Sequence, residues 1–470
     1  MKRIILILTV MAAFVLTASG CGKQDLGDVY HEGSDYQYKY SNLASEDMIV
    51  QKGKSGYFFV GGQYIYYMDS QTKQVKPLCS KADCLHDRET DREKRASCNA
   101  LLSETDNYFK IAYCDGYLYS LNQNSSEYDE SSGKCYQCLV RMKEDGSKRE
   151  TIYRWDADEV LVTDFCIHRG VMYYTEESLT IDRDSSGENG VNHHYTVKKM
   201  DLSKTRKTPE TIYTPDKNID LNTITHYMAY GNHVFFQMFG ATTKDADIIT
   251  EENFGDYLYM HIMNYNIQTG EFTDVTFPGM TQSYYASSIT FWKDKLLVEG
   301  MQYGEKMDYK TNVYIENLDG SSPELFMEDI PQGEMILSDG KYLYLDNETL
   351  IRYKMEKEQV VKVYDENKEL IDTICSPYPA HTNFFPGAED VTYYIFYKDK
   401  HGNENIGCEP AFYDDDTDSD GAVLEIKEWD KSKIGTYQGK NQPIFENVAE
   451  FDFSALDQEI FEGNGQYFGK

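Results

Sequence analysis

Basic residues are scarce in this 470-residue chain: 46 Lys and Arg stand against 79 Asp and Glu, a formal charge of −33. Nucleic-acid binding needs clustered Lys and Arg to displace counterions from phosphates, so no nucleic-acid partner is expected. Long apolar runs are scarce as well. Beyond the first 20 residues no segment approaches the 18 apolar residues of a spanning helix. Long amphipathic patterns are nearly absent, which argues against helices covering a parallel sheet. Enzyme signatures are mostly missing: there is no His-Glu-x2-His and no Gly-x-Ser-x-Gly elbow. Gly53-Lys54-Ser55 has the ending of a phosphate loop, but Met48 stands where its first glycine belongs. The ten histidines are dispersed, and His193-His194 read as exposed members of a polar loop.

What the chain has in excess is aromatic surface. Forty Tyr and 22 Phe lift the aromatic share to 14%, and an acidic chain that rich in rings folds around them instead of staying disordered. The rings recur in one phrase, a turn followed at once by an apolar run. It reads Gly62-Gln63-Tyr64-Ile65-Tyr66-Tyr67, Asp115-Gly116-Tyr117-Leu118-Tyr119, Gly170-Val171-Met172-Tyr173-Tyr174 and Gly231-Asn232-His233-Val234-Phe235-Phe236. It returns at Asp294, at Gly340 and, weakly, at Asp390, with intervals of 54, 54, 61, 63, 46 and roughly 50 residues. A second hairpin follows in most units: Cys138–Met142 turns at Asp145-Gly146-Ser147 into Glu150–Tyr153, and Asn312–Ile315 turns at Asp319-Gly320-Ser321 into Leu325-Phe326. Two hairpins per unit give about four antiparallel strands.

The runs do not alternate polar with apolar, so both faces of each strand must be covered. Face-to-face sheets at a period near 55 residues make an all-β chain with a single β-propeller of about seven four-stranded antiparallel blades, six or eight being the neighbouring counts. A pair of β-sandwiches is the competing arrangement. The propeller is expected over 47–455, with blades at roughly 47–100, 101–157, 158–218, 219–280, 281–331, 332–378 and 379–455, and a tail or closing strand at 456–470. The recurring Asp-Gly-Tyr-Leu-Tyr and Asp-Gly-Ser phrases resemble those of the tyrosine-rich, TolB-like propellers of extracytoplasmic lipoproteins in Gram-positive bacteria. The resemblance implies a fold more than a role, because propellers serve many. It also implies a cysteine cluster after the first unit.

The N-terminus carries an address. Lys2 and Arg3 precede an apolar run of 13 residues, Ile4 to Leu16, broken only by Thr9, then Thr17-Ala18-Ser19-Gly20 and Cys21. This order makes a cleaved secretory signal over 1–20. Small residues before Cys21 and Gly22 after it resemble a bacterial lipobox, which implies acylation of Cys21 and a lipid anchor on the outer face of the cell membrane. Loss of Lys2 and Arg3 would take the charge from −33 to −35. The polar stretch 21–46 reads as a flexible tether.

Nine cysteines remain besides Cys21, an odd number. Cys79, Cys84, His86 and Cys98 share one loop as Cys-x4-Cys-x-His-x11-Cys. Three thiolates and an imidazole suit tetrahedral zinc. A disulfide between two of the three is the favoured alternative in an oxidising compartment. Cys135 and Cys138, three apart on a strand, point to opposite faces and make a poor redox pair. Asp416, Asp418 and Asp420 open like a calcium loop, but Lys427 stands at position twelve where a bidentate Glu belongs. No cofactor is required by the pattern; zinc and calcium are the candidates. The functional expectation is a monomeric, non-catalytic binding or scaffold module for a protein, peptide or glycan. The alternatives are a carbohydrate-active enzyme, using paired carboxylates in the funnel and tryptophan platforms at Trp155, Trp292 or Trp429, and a metal-binding surface protein.

Overall fold

A computed structural model describes residues 26–452 apart from 38, 41, 44–49, 62–63, 73, 103–109, 123–127, 130–132, 184–188, 245–247, 251–252, 304–309, 332–334, 347–359, 376–382, 387–390, 400–418, 429–430 and 438–445. The chain is all-β, and its antiparallel sheets follow one another in sequence as the blades of a β-propeller. Six sheets have four strands, with spans 50–77, 161–213, 220–274, 284–331, 335–375 and 383–452. The sheet at 111–156, second in chain order, has five. Its extra member is the two-residue strand Tyr128–Asp129, paired with the edge of Lys134–Lys143.

Strands form where the apolar runs predict, each run holding a doublet of adjacent apolar residues such as Tyr66-Tyr67 or Tyr173-Tyr174. Tyr64, Ile65, Tyr66, Tyr67 and Met68 are consecutively buried, so neither face of that strand meets water. Adjacent residues of a doublet enter different cores. Leu118 packs between the first and second sheets, and Tyr119 between the second and third. Tyr174 joins that second-to-third core, while Tyr173 faces the fourth sheet. Phe236 lies beside Tyr173, whereas Phe235 packs against Phe291 of the fifth sheet. Leu296 and Leu297 repeat the division one sheet later. The apolar interior is thus a series of layers between sheets, each buried ring contributing about 1.5–3 kcal/mol. First strands of neighbouring sheets run side by side, as Leu161–His168 does with Asp220–Tyr230, which places them innermost.

The hairpins of the recurring phrase join the first strand of a sheet to its second. Two-residue loops at Asp115-Gly116 and Arg169-Gly170 have positive φ at both positions, the twist that suits a tight hairpin. The first sheet departs from this rule. Its phrase begins the third strand, Tyr64–Asp69, because Gly53-Lys54-Ser55 forms an additional turn between Val50–Lys52 and Gly56–Gly61.

The stretch read as a flexible tether is docked over its described part. Tyr36 meets the ring of Tyr113 edge-on at 5.6 Å. Asp35 pairs with Arg169, Tyr30 packs on Tyr230, and the Asn42 amide donates to Thr290 Oγ1 at 2.7 Å and to the Ile336 carbonyl at 2.9 Å. Leu43 ends the segment inside the core between the fourth and fifth sheets. Residues 26–43 therefore form a strap against five consecutive sheets, from the second to the sixth. Polar composition concealed this because the strap is held mainly through hydrogen bonds and tyrosine rings.

Candidate metal centre and ligand cleft

The final strand of the first sheet ends at Pro77, and a loop then runs to Leu101, which returns to bridge Tyr64. The loop contains a single turn of 3-10 helix, His86–Arg88, and a five-residue helix, Arg92–Ala96, capped by the Asp91 carboxylate. Its turns bring Cys79, Cys84, His86 and Cys98 together, with the donor atoms of all four within 4.8 Å of one another. The Cys98 sulfur lies 3.7 Å from His86 Nδ1. Cys98 is buried and the other three are partly so. All three cysteines are free thiols in the structure.

The surroundings bear on which species the sulfurs favour. Burial pushes the Cys98 thiol well above its ordinary range, and the neighbouring Cys79 and Cys84 add to the rise. The Ala100 N–H, donating to the Cys98 sulfur, acts in the opposite direction and favours the thiolate. Arg149 holds the frame by donating to the carbonyls of Cys98 at 3.0 Å, Asn99 at 3.2 Å and Leu101. Lys81 donates to the Ser97 carbonyl. The Gly146 carbonyl accepts from Asn99 Nδ2 at 2.7 Å and Ser80 Oγ at 3.2 Å. Gly146 has φ +77°, and a Cβ there would fall 2.8 Å from the Cys79 nitrogen. The Asp-Gly-Ser turn of the second sheet thus abuts the cysteine loop of the first. Sequence spacing found the four donors but missed Arg149 and Gly146, whose roles depend on the packing of two sheets.

The other predicted site residues lie apart. Cys135 is exposed and Cys138 buried on the single strand Lys134–Lys143, as a separation of three requires. His193 and His194 are exposed, but on the long strand Asn189–Asp201 instead of in a loop, where they contact Glu177 and Thr180. Trp155 is buried and donates to Glu176 Oε1 at 3.1 Å, and Trp292 is buried against the fifth-to-sixth-sheet core. Neither can serve as a sugar platform. Trp429, Cys21, Asp416 and Asp418 lie outside the described residues, and Asp420 is on the strand Ser419–Glu428. Two buried carboxylates lock sheets together, one on the inner strand Leu161–His168 and one on the outer strand Leu370–Cys375. Asp164 bonds Lys110 at 2.8 Å and accepts from Thr225 and the His226 N–H, and Asp372 accepts from the N–H groups of Gly435 and Tyr437.

A cleft of about 720 Å³ opens between the strap and the hairpin ends of the second, third and fourth sheets. Tyr36, Asp115, Arg169, Tyr173, Lys199 and Glu210 are among its lining residues. Lys199 Nζ lies 3.4 Å from Glu210 and 3.3 Å from the Tyr265 hydroxyl. The wall thus alternates cations, carboxylates and rings.

No known family matches the sequence, and no curated protein matches it. Solved structures do show similarity. A prolyl endopeptidase is 11% identical, with a TM-score of 0.45 over 85% of this chain, which spans 56% of the peptidase's length. An oligogalacturonate lyase from Vibrio parahaemolyticus is 13% identical, with a TM-score of 0.44 over 78% of this chain and 87% of the lyase. A protein described as a TolB from Agrobacterium tumefaciens is 8% identical, with a TM-score of 0.28 over 59% of this chain and 79% of its own. At such identities likeness concerns the fold alone, and the propeller assignment rests on the sheets themselves.

Proposed function

We propose that the chain is an extracytoplasmic binding lipoprotein. An acyl group on Cys21 anchors it to the outer face of the cell membrane, and the propeller holds a peptide segment without transforming it. The observation that carries this reading is the cleft. Its volume is in the range of ligand sites, and its rings sit among both signs of charge, a lining that complements a chain of amides with charged side groups. Asp164, Asp372, Trp155 and Trp292 are committed to packing within and between sheets, and the mixed rings and charges of the cleft suit holding a ligand.

Two measurements test this. Fractionation of cells expressing the full chain should find it in the membrane, with a mass on its first peptide that matches an acylated Cys21, and Cys21→Ser should release it to the medium. A Cys21→Ser chain that remains membrane-bound overturns the anchor. Peptide and glycan arrays probed with the purified protein should return peptides, and Lys199→Ala with Tyr173→Ala should weaken that binding at least tenfold. Glycan binding alone, or peptide binding unaffected by the cleft variants, overturns the assignment.

A further inference from the structure

We propose that Cys79, Cys84, His86 and Cys98 bind one zinc ion, which clasps the first sheet of the propeller to the second. Tetrahedral zinc bound by sulfur at about 2.3 Å and nitrogen at about 2.0 Å needs donors about 3.6–3.8 Å apart. The four donors lie within 4.8 Å of one another without any ion, and the Cys98–His86 edge is already 3.7 Å. Movements of about 1 Å complete the tetrahedron.

Three further observations favour a metal over a disulfide. A disulfide uses two sulfurs and leaves the third, with the imidazole, unaccounted for at the same point; a metal uses all four. His86 adopts φ +57°, a left-handed conformation that costs a non-glycine residue about 1–2 kcal/mol, at the position that turns its ring toward Cys98. Between Cys79 and Cys98 the loop buries no apolar side chain among the described residues: Leu85 is exposed, and the helix of five residues is too short to be stable alone. Small segments with such poor cores are commonly ordered by a metal.

The donor set selects the ion. Three thiolates with one imidazole favour zinc and exclude calcium or magnesium, which take oxygen. Four protein ligands leave no open position, so the site is structural. Three thiolates and a dication leave one net negative charge; the Ala100 N–H donates to the Cys98 sulfur, and Arg149 and Lys81 bond the neighbouring carbonyls of Cys98 and Ser97. Binding releases the thiol protons as the sulfurs become thiolates.

The test uses the full chain purified without chelator or metal resin. Elemental analysis should find one zinc per chain. Replacement by Co2+ should give the thiolate-to-cobalt charge-transfer band and the visible bands of a tetrahedral site. Cys84→Ser and His86→Ala should each lower Zn2+ affinity at least tenfold, whereas His86→Cys should retain it, since four sulfurs also satisfy zinc. Circular dichroism verifies that each variant keeps its sheets, and the wild-type measurements stand even where a variant fails to fold. The proposal is overturned if the reduced wild-type chain takes up neither Zn2+ nor Co2+, if peptide mapping of the native protein finds a disulfide among Cys79, Cys84 and Cys98, or if Cys84→Ser binds zinc as tightly as wild type.

Discussion

Arg169 Nε donates to Asp35 Oδ1 at 2.7 Å and its second terminal nitrogen donates to Oδ2 at 3.1 Å, a two-point ion pair between a hairpin of the third sheet and the strap. The same guanidinium reaches the Gly27 and Val29 carbonyls at 3.2 Å and Asn232 Oδ1 at 2.7 Å. Asp35 is almost completely buried, so removing its partner strands a carboxylate away from water, at a cost of about 3–5 kcal/mol. In Arg169→Ala the strap should detach before the sheets unfold. Hydrogen exchange across 27–37 should rise at least tenfold relative to the sheet cores, and unchanged protection there contradicts the assignment.

Gly231 and Gly170 provide a matched pair. Both have positive φ, +58° and +74°, so alanine costs each about 1 kcal/mol in backbone strain. A Cβ on Gly170 meets nothing within 4 Å among the described residues, whereas one on Gly231 falls 2.5 Å from the Asp28 backbone. Gly231→Ala should therefore be at least 1 kcal/mol more destabilising than Gly170→Ala, about the energy needed to shift the strap. Thermal denaturation of the two variants checks the order, and equal transitions would show that the strap contributes nothing at that point.

Acid should weaken the fold through His168. Its Nε2 donates to the Gly231 carbonyl at 2.7 Å, and Nδ1 faces the Gln37 amide at 2.9 Å. Burial lowers its pKa from 6.5 to about 4, against the attraction of Asp35. Below pH 6.5 the unfolded chain takes up a proton that the native imidazole refuses until about pH 4, so stability falls as pH falls through that window, by about 3 kcal/mol in total. His168→Gln should flatten the urea-midpoint profile between pH 4 and 6.5. A profile as steep as wild type would exclude His168 as the cause.

Glu316 predicts the opposite slope. It is fully buried on the third strand of the fifth sheet, and neither carboxylate oxygen has a hydrogen-bond partner among the described residues. Burial, with Asp319 adding to it, raises its pKa from 4.5 to about 8. As pH rises between those values the unfolded chain releases a proton that the native state retains, so stability declines. Glu316→Gln should be nearly neutral at pH 4.5 and stabilising by about 2–4 kcal/mol at pH 8. Denaturant melts at the two pH values decide, and a gain of the same size at both would point to packing instead of ionisation.

Much of the fold was legible because a strand covered on both faces leaves a mark that no other element leaves: Tyr173-Tyr174 and Phe235-Phe236 are apolar doublets, and each divides between two cores. The Asp-Gly turns were legible because positive φ restricts the residue choice. The first sheet misled, since its Gly53-Lys54-Ser55 turn adds a strand before the phrase. The strap was read as a tether because Asp35, Tyr36 and Asn42 hold it through partners 79 to 294 residues away, and composition records no such pairing. The four candidate donors, Cys79, Cys84, His86 and Cys98, were visible by type and spacing. Their convergence was not, because it depends on Gly146 and Arg149 of the next sheet.

The strap also sets a direction. In the second sheet the turns at Gly116 and Gly146 lie at one end, joined by the Glu144 N–H to the Gly116 carbonyl at 3.1 Å, so strap, cleft and cysteine loop share one face of the ring. Four residues lie between Cys21 and Leu26, so the five steps span at most about 18 Å of chain. With the acyl group proposed on Cys21, that face would look down on the lipid headgroups at close range, as a disc lying flat on a table. The connections between second and third strands would then point outward to the surroundings. A ligand would reach the cleft sideways, through the gap between ring and bilayer, so the membrane itself would form one wall of the site.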